Sequence, residues 1–164
     1  MDPVRGMEEL PLLPAFSEMV QHLPDSLIEI LQWFENQNSH VWIVGGANRH
    51  ALLGTKILEY DLATTMTPLE MKAYPDTIPT GEKYGTITFR NRGEHYEITT
   101  LRTESGYNDG RRPDEVEWGD SLLVDLSRRD LTMNSIAVNV SKETYYDPYN
   151  LSLIHISEPT RRRT

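Results

Sequence analysis

The chain contains no cysteine. That excludes a disulfide framework and cysteine-ligated zinc, and it fits a reducing cytoplasm. No apolar run approaches the ~18 residues that a membrane span requires, so no spanning helix is expected. Basic residues are scarce. Sixteen Lys and Arg stand against 25 Asp and Glu, a net charge of −9. Leaving aside the three arginines and one glutamate of residues 151–164, the remainder carries −11. A surface this acidic does not hold nucleic acid by general electrostatics, so any RNA contact must be local or come from elsewhere. The N-terminus is acidic and punctuated by Pro3, Pro11 and Pro14, which is not a secretory signal. A length of 164 residues suits one domain, or a domain with a remnant, and allows a buried core.

What is present is concentrated between residues 41 and 61. An apolar strand, Val41-Trp42-Ile43-Val44, ends in Gly45-Gly46, and Arg49 follows. Glu59 and Asp61 then flank Tyr60 at the start of a second expected strand, residues 60–64. Side chains at i and i+2 of a strand point the same way, about 6.6 Å apart along it. Glu59 and Asp61 are thereby placed to converge on a divalent ion. Paired glycines let backbone N–H groups approach phosphates without a Cβ in the way. The combination suggests a magnesium-nucleotide site. On spacing alone the carboxylates also read as a solvated strand face, and the glycines as a tight turn.

Around this segment the pattern predicts an irregular arm followed by two helices, the second starting at Pro24-Asp25-Ser26. A short helix over 48–53 closes at Gly54, and Thr67-Pro68-Leu69-Glu70 is a capping box with proline at the first helical position. Two period-two runs, 86–90 and 96–102, form a hairpin. A long polar loop spans 103–120, a helix 121–129, and a second hairpin runs from the alternating Ile136, Val138 and Val140 through a turn at 141–143 to Tyr145-Tyr146. Residues 1–39 are thus expected to form an arm with helices and 40–150 a head domain. Residues 151–164 follow abruptly. Leu151 to Arg161 looks like the translation of a sequencing adapter, an artefact tail expected to hold no secondary structure and to make few contacts, beyond an opportunistic collapse of Leu151, Leu153, Ile154 and Ile156 onto exposed apolar surface.

Seven ordered blocks resemble the catalytic head of the class II nucleotidyltransferases, the bacterial-type CCA-adding enzymes and poly(A) polymerases. They are Gly45-Gly46 with Arg49, Tyr60-Asp61, Thr67-Pro68 with Glu70-Met71, Thr80-Gly81 with Gly85-Thr86, Tyr96-Glu97 with Arg102, Arg111-Arg112-Pro113, and Arg128-Arg129-Asp130 with Asn134. The resemblance implies an α+β fold, a mainly antiparallel sheet with flanking helices. It implies transfer of a nucleoside monophosphate from ATP or CTP to an RNA 3′-hydroxyl, with Mg2+ on Glu59 and Asp61 and pyrophosphate released. Glu97 is a third acid in this scheme. Gly45, Gly46 and Arg49 would hold the triphosphate, Arg128 and Arg129 phosphate or base, and Asp130 and Asn134 the ribose. The RNA partner would be tRNA, gripped mainly by C-terminal domains beyond this chain, and CCA addition is favoured over poly(A) synthesis.

Three positions depart from the family's pattern. Glu59 replaces a usual aspartate, His50 a usual acid, and Asn48 a usual small apolar residue. They motivate an alternative, a catalytically impaired fragment that binds nucleotide. Arg128-Arg129 can also be read as a helix end complementing the dipole.

Overall fold

The computed structural model describes residues 2–103, 118–129 and 133–156, with the backbone alone at 133 and 154–156. Arg111, Arg112, Pro113, Asp130 and most of the expected 103–120 loop lie outside the described residues. The fold is α+β. Among the described residues, eight strands form one mostly antiparallel sheet. They are β1 (Leu10–Pro11), β2 (Val41–Val44), β3 (Asp61–Thr64), β4 (Thr77–Gly81), β5 (Thr86–Asn91), β6 (Glu94–Thr100), β7 (Ala137–Asn139) and β8 (Thr144–Tyr146). The spatial order is β1-β8-β7-β2-β3-β6-β5-β4, and β3 runs parallel to β6.

Six helices flank the sheet among the described residues: α1 (Pro14–Gln21), α2 (Asp25–Asn36), α3 (Gly46–Leu53), α4 (Pro68–Met71), α5 (Leu122–Ser127) and α6 (Leu151–Ile156). Strand β2 is buried on both faces, which explains its unbroken apolar run. Ile43 joins Phe16, Leu27, Ile30 and Phe34 of α1 and α2 in the larger core. Trp42 and Val44 join Leu122 and Leu126 of α5 on the other face. Helices α1–α3 therefore cover one face and α5 part of the second.

The hairpin β5–β6 turns on Arg92 and Gly93, both with positive φ (53° and 82°). Such two-residue turns match the twist of the strands they join. The capping box at Thr67 is present, with Thr67 and Glu70 bonded reciprocally. Both edge strands are interrupted by proline: β1 ends at Pro11, and β4 shifts register between Ile78 and Gly81, around Pro79.

Two expectations are corrected. Strand β3 begins at Asp61, so Glu59 precedes the strand rather than lying on it. The first six residues of the expected structureless tail form α6. Asp147 caps it, accepting the N–H groups of Leu151 and Ser152 at 2.9 Å each and the Ser152 hydroxyl at 2.5 Å. Ser152 is buried, and Leu151 packs on the larger core.

Candidate active site

Strand β6 alternates. Tyr96 and Ile98 are buried in the larger core, while His95 and Glu97 are exposed. Glu97 therefore stands on the face opposite α1–α3. The parallel register pairs Asp61 with Glu97, and directly paired residues of neighbouring strands share a face. Asp61 and Glu97 are thus side by side, although 36 positions apart in the chain. Glu59 reaches the same opening from the segment before β3. The cleft of about 390 Å³ is lined by Glu59, Tyr60, Asp61, Ile78, Thr80, Thr88, His95 and Glu97.

The electrostatics follow from this crowding. The Asp61 carboxyl is held above the usual carboxylate range, first by burial among the strands and then by the charges of Glu59 and Glu97. Arg129 acts in the opposite direction. Asp61 is nonetheless exposed as a residue, so burial here means crowding by the strands, not enclosure. Like charges brought together without full compensation call for a cation.

Gly45 borders the acids. It has φ +75°, and a Cβ there would sit 3.5 Å from the Asp61 Oδ2. Gly45 and Gly46 lie at the β2–α3 turn, outside the residues that line the cleft. The cleft lining carries threonine hydroxyls, with Thr80 bonded to Thr88 at 2.8 Å. A Cβ on Gly46 would lie 3.6 Å from the guanidinium of Arg49, whose side chain is exposed at the start of α3.

The departures at positions 48 and 50 have local explanations. Asn48 is fully buried. Its amide donates to the carbonyls of Ile43 at 3.0 Å and Ile136 at 2.9 Å, tying β2 to the approach to β7. Its Oδ1 has no hydrogen-bond partner among the described residues. His50 turns to the Thr55 hydroxyl at 2.7 Å.

Arg128 and Arg129 both pair with Asp125. Asn134 lies in a 3-10 turn, Met133–Ser135, whereas Asp130 is outside the described residues. Sequence reasoning missed Thr88, His95 and Asp125. Asp125 did carry a signal, an acid three and four residues before two arginines.

The donor set fits magnesium. Three carboxylates supply hard oxygens to one cleft. Among the described residues no three His, Asp or Glu form a ready-made metal cage. Magnesium does not need one, since one or two carboxylates and substrate phosphates commonly hold it.

Residues 41–153 match the poly(A) polymerase head domain. The chain belongs to this family. This head-domain protein is 42% identical over 125 residues to the CCA-adding enzyme of Lactobacillus johnsonii, covering 74% of the chain and 31% of that enzyme. It is 40% identical over 126 residues to the CCA-adding enzyme of Geobacillus kaustophilus, again covering 31% of the relative. The chain thus spans about a third of the length of these relatives. The structure of the Bacillus stearothermophilus CCA-adding enzyme in complex with CTP superposes with a TM-score of 0.68 at 30% identity, covering 93% of this chain and 37% of that one. The Thermotoga maritima CCA-adding enzyme complexed with tRNA_CCA shares the fold, with a TM-score of 0.61 at 20% identity over 88% of this chain and 38% of that one.

Proposed function

We propose that the chain is the nucleotide-transferring head of a CCA-adding enzyme, which extends the 3′ end of tRNA with nucleoside monophosphates from CTP and ATP. The observation that carries this reading is the pairing of Asp61 with Glu97 on β3 and β6, with Glu59 in the same cleft. Close relatives in sequence carry the CCA-adding name, and one relative has been captured with CTP.

In the proposed reaction the RNA 3′-hydroxyl attacks the α-phosphate and pyrophosphate leaves. Bound Mg2+ would neutralise charge on the attacking and leaving oxygens. Asp61 and Glu59 would hold it, and Glu97 adds negative charge beside them. The Gly45-Gly46 turn offers backbone N–H groups to the triphosphate, and Arg49 and Arg129 counter its charge. Asn134, with Asp130, is assigned to the ribose. The tRNA body is expected to be gripped outside this head. The absence of cysteine suits a cytoplasmic setting.

The test is magnesium-dependent incorporation of labelled CMP and AMP into tRNA lacking its 3′ end, with the full-length protein and with this chain. Asp61→Ala should reduce incorporation roughly a thousandfold, as loss of several kcal/mol of metal-borne stabilisation predicts, without unfolding the protein. Equal loss of fold and activity would assign Asp61 a structural role. The position of Glu59 outside β3 favours a second reading, binding without transfer. Saturable ATP binding with no incorporation by the full-length protein would establish it.

A further inference from the structure

The two arginines after α5 do not extend freely into the cleft. Arg128 donates from Nε to the Asp125 Oδ1 at 3.3 Å, and its Nη2 lies 3.2 Å from the same oxygen as an ion pair. Arg129 donates from Nε and Nη2 to Oδ2, at 3.2 and 3.0 Å. The backbone N–H of Arg102 adds a third partner to Oδ1, at 2.9 Å. Asp125 is 1% exposed, and the other buried residues of its helix are Leu122 and Leu126.

A carboxylate in such an apolar seat is costly unless it is paired and hydrogen-bonded. Packing alone would be served by another leucine. The pairing is also unbalanced. Arg102 feels the charges of Arg128 and Arg129, and its Nε is buried without a partner among the described residues. Among the described residues two guanidinium groups thus share one carboxylate. Of the two, Arg129 also acts electrostatically on Asp61 of the acidic cleft. Guanidinium groups suit phosphate oxygens because their donors form a planar fork. Arg129 is held through Nε and Nη2, and Arg128 through Nε with Nη2 in ion-pair reach, so Nη1 of each makes no bond to Asp125. Holding them in advance removes part of the rotamer entropy that a ligand would otherwise have to freeze.

We propose that Asp125 is a positioning residue, which sets Arg128 and Arg129 as a pre-formed seat for the phosphate oxygens of the incoming nucleotide. The proposal rests on the nucleotide-binding reading of the same site. In Asp125→Asn one acceptor oxygen becomes a donor. It then faces a guanidinium group it cannot bond, and at least one arginine is released.

The experiment is calorimetric titration of the 164-residue chain with ATP and MgCl2, with thermal unfolding alongside. Asp125→Asn should weaken ATP binding roughly tenfold, in line with the loss of a charge-assisted hydrogen bond. In a background carrying Arg128→Met and Arg129→Met, the same Asp125→Asn change should have little further effect, because the groups it positions are gone. An equal effect in both backgrounds, or unchanged affinity in a folded Asp125→Asn protein, overturns the proposal. Should Asp125→Asn not fold, Arg128→Lys with Arg129→Lys keeps the charges and Asp125 but loses the forked geometry. Weakened binding in that variant supports a positioned seat, and wild-type affinity refutes it. Absence of ATP binding by the unaltered chain would instead overturn the nucleotide-binding reading on which the proposal stands.

Discussion

Asp61 concentrates the tension between folding and function in one side chain. Crowding by the strands, Glu59 and Glu97 disfavours its charged form, so the metal-free protein bears an electrostatic load at neutral pH. Asp61→Asn removes that load and nearly preserves shape. The metal-free variant should therefore melt at a higher temperature than the wild type at pH 7, while incorporation is lost. Calorimetry decides this, and a lower melting point would mean that the carboxylate holds the fold together. Asn48 is the opposite case, a polar side chain that earns its buried place by bonding two carbonyls. Asn48→Ala should destabilise the chain by about 2 kcal/mol, the range for leaving buried polar groups unpaired. Urea titration measures this, and a neutral result would show that water reaches the Ile43 and Ile136 carbonyls.

Between elements, Glu29 of α2 clamps the β5–β6 hairpin. It accepts from Arg92 Nε and Nη2 at 2.9 and 2.7 Å and from Asn91 at 2.8 Å. The Arg92 and Asn91 hydrogen bonds, with the Arg92 charge, lower its pKa to about 2. A depressed carboxyl pKa stabilises the fold above the unfolded value of about 4.3, and that contribution is lost as pH falls toward the folded value. Glu29→Gln should thus lower the unfolding midpoint at pH 7, and the gap to wild type should close between about pH 4.5 and 2. A gap independent of pH would assign the effect to packing. The hairpin itself was legible from alternating residues around Arg92-Gly93, as were α2 and β2 from apolar spacing. Strand β4 was not, because Thr77, Pro79, Thr80 and Gly81 carry loop chemistry and pair only as a sheet edge. The acids at 59 and 61 were legible as a pair. Their meeting with Glu97 was not derivable from spacing, because a parallel register across 36 positions is set by the sheet. Asp125 went unread because its partners follow it on one helix end, where charge usually means solvent.

At the scale of the molecule, α6 alters the expectation for residues 151–164. Asp147 satisfies the first N–H groups of this helix, and Leu151 and Ser152 are packed inward. Deleting 151–164 should therefore cost about 1–2 kcal/mol rather than the near-zero change typical of surface edits. Thermal unfolding with and without the segment tests this, and an unchanged midpoint would show that α6 contributes nothing. The sheet's borders have a different consequence. An open sheet edge offers a row of unpaired N–H and C=O groups to any other chain, and proline and irregular register blunt it. Here β1 is two residues long and ends in Pro11, while β4 carries Pro79 within its register shift. Together with the net charge of −9, these borders make fibril-like stacking of one copy on another unfavourable, even though the chain spans only about a third of its relatives' length. The consequence is colloidal: proline and irregular register at the described sheet borders disfavour the templating of one copy by the edge of another.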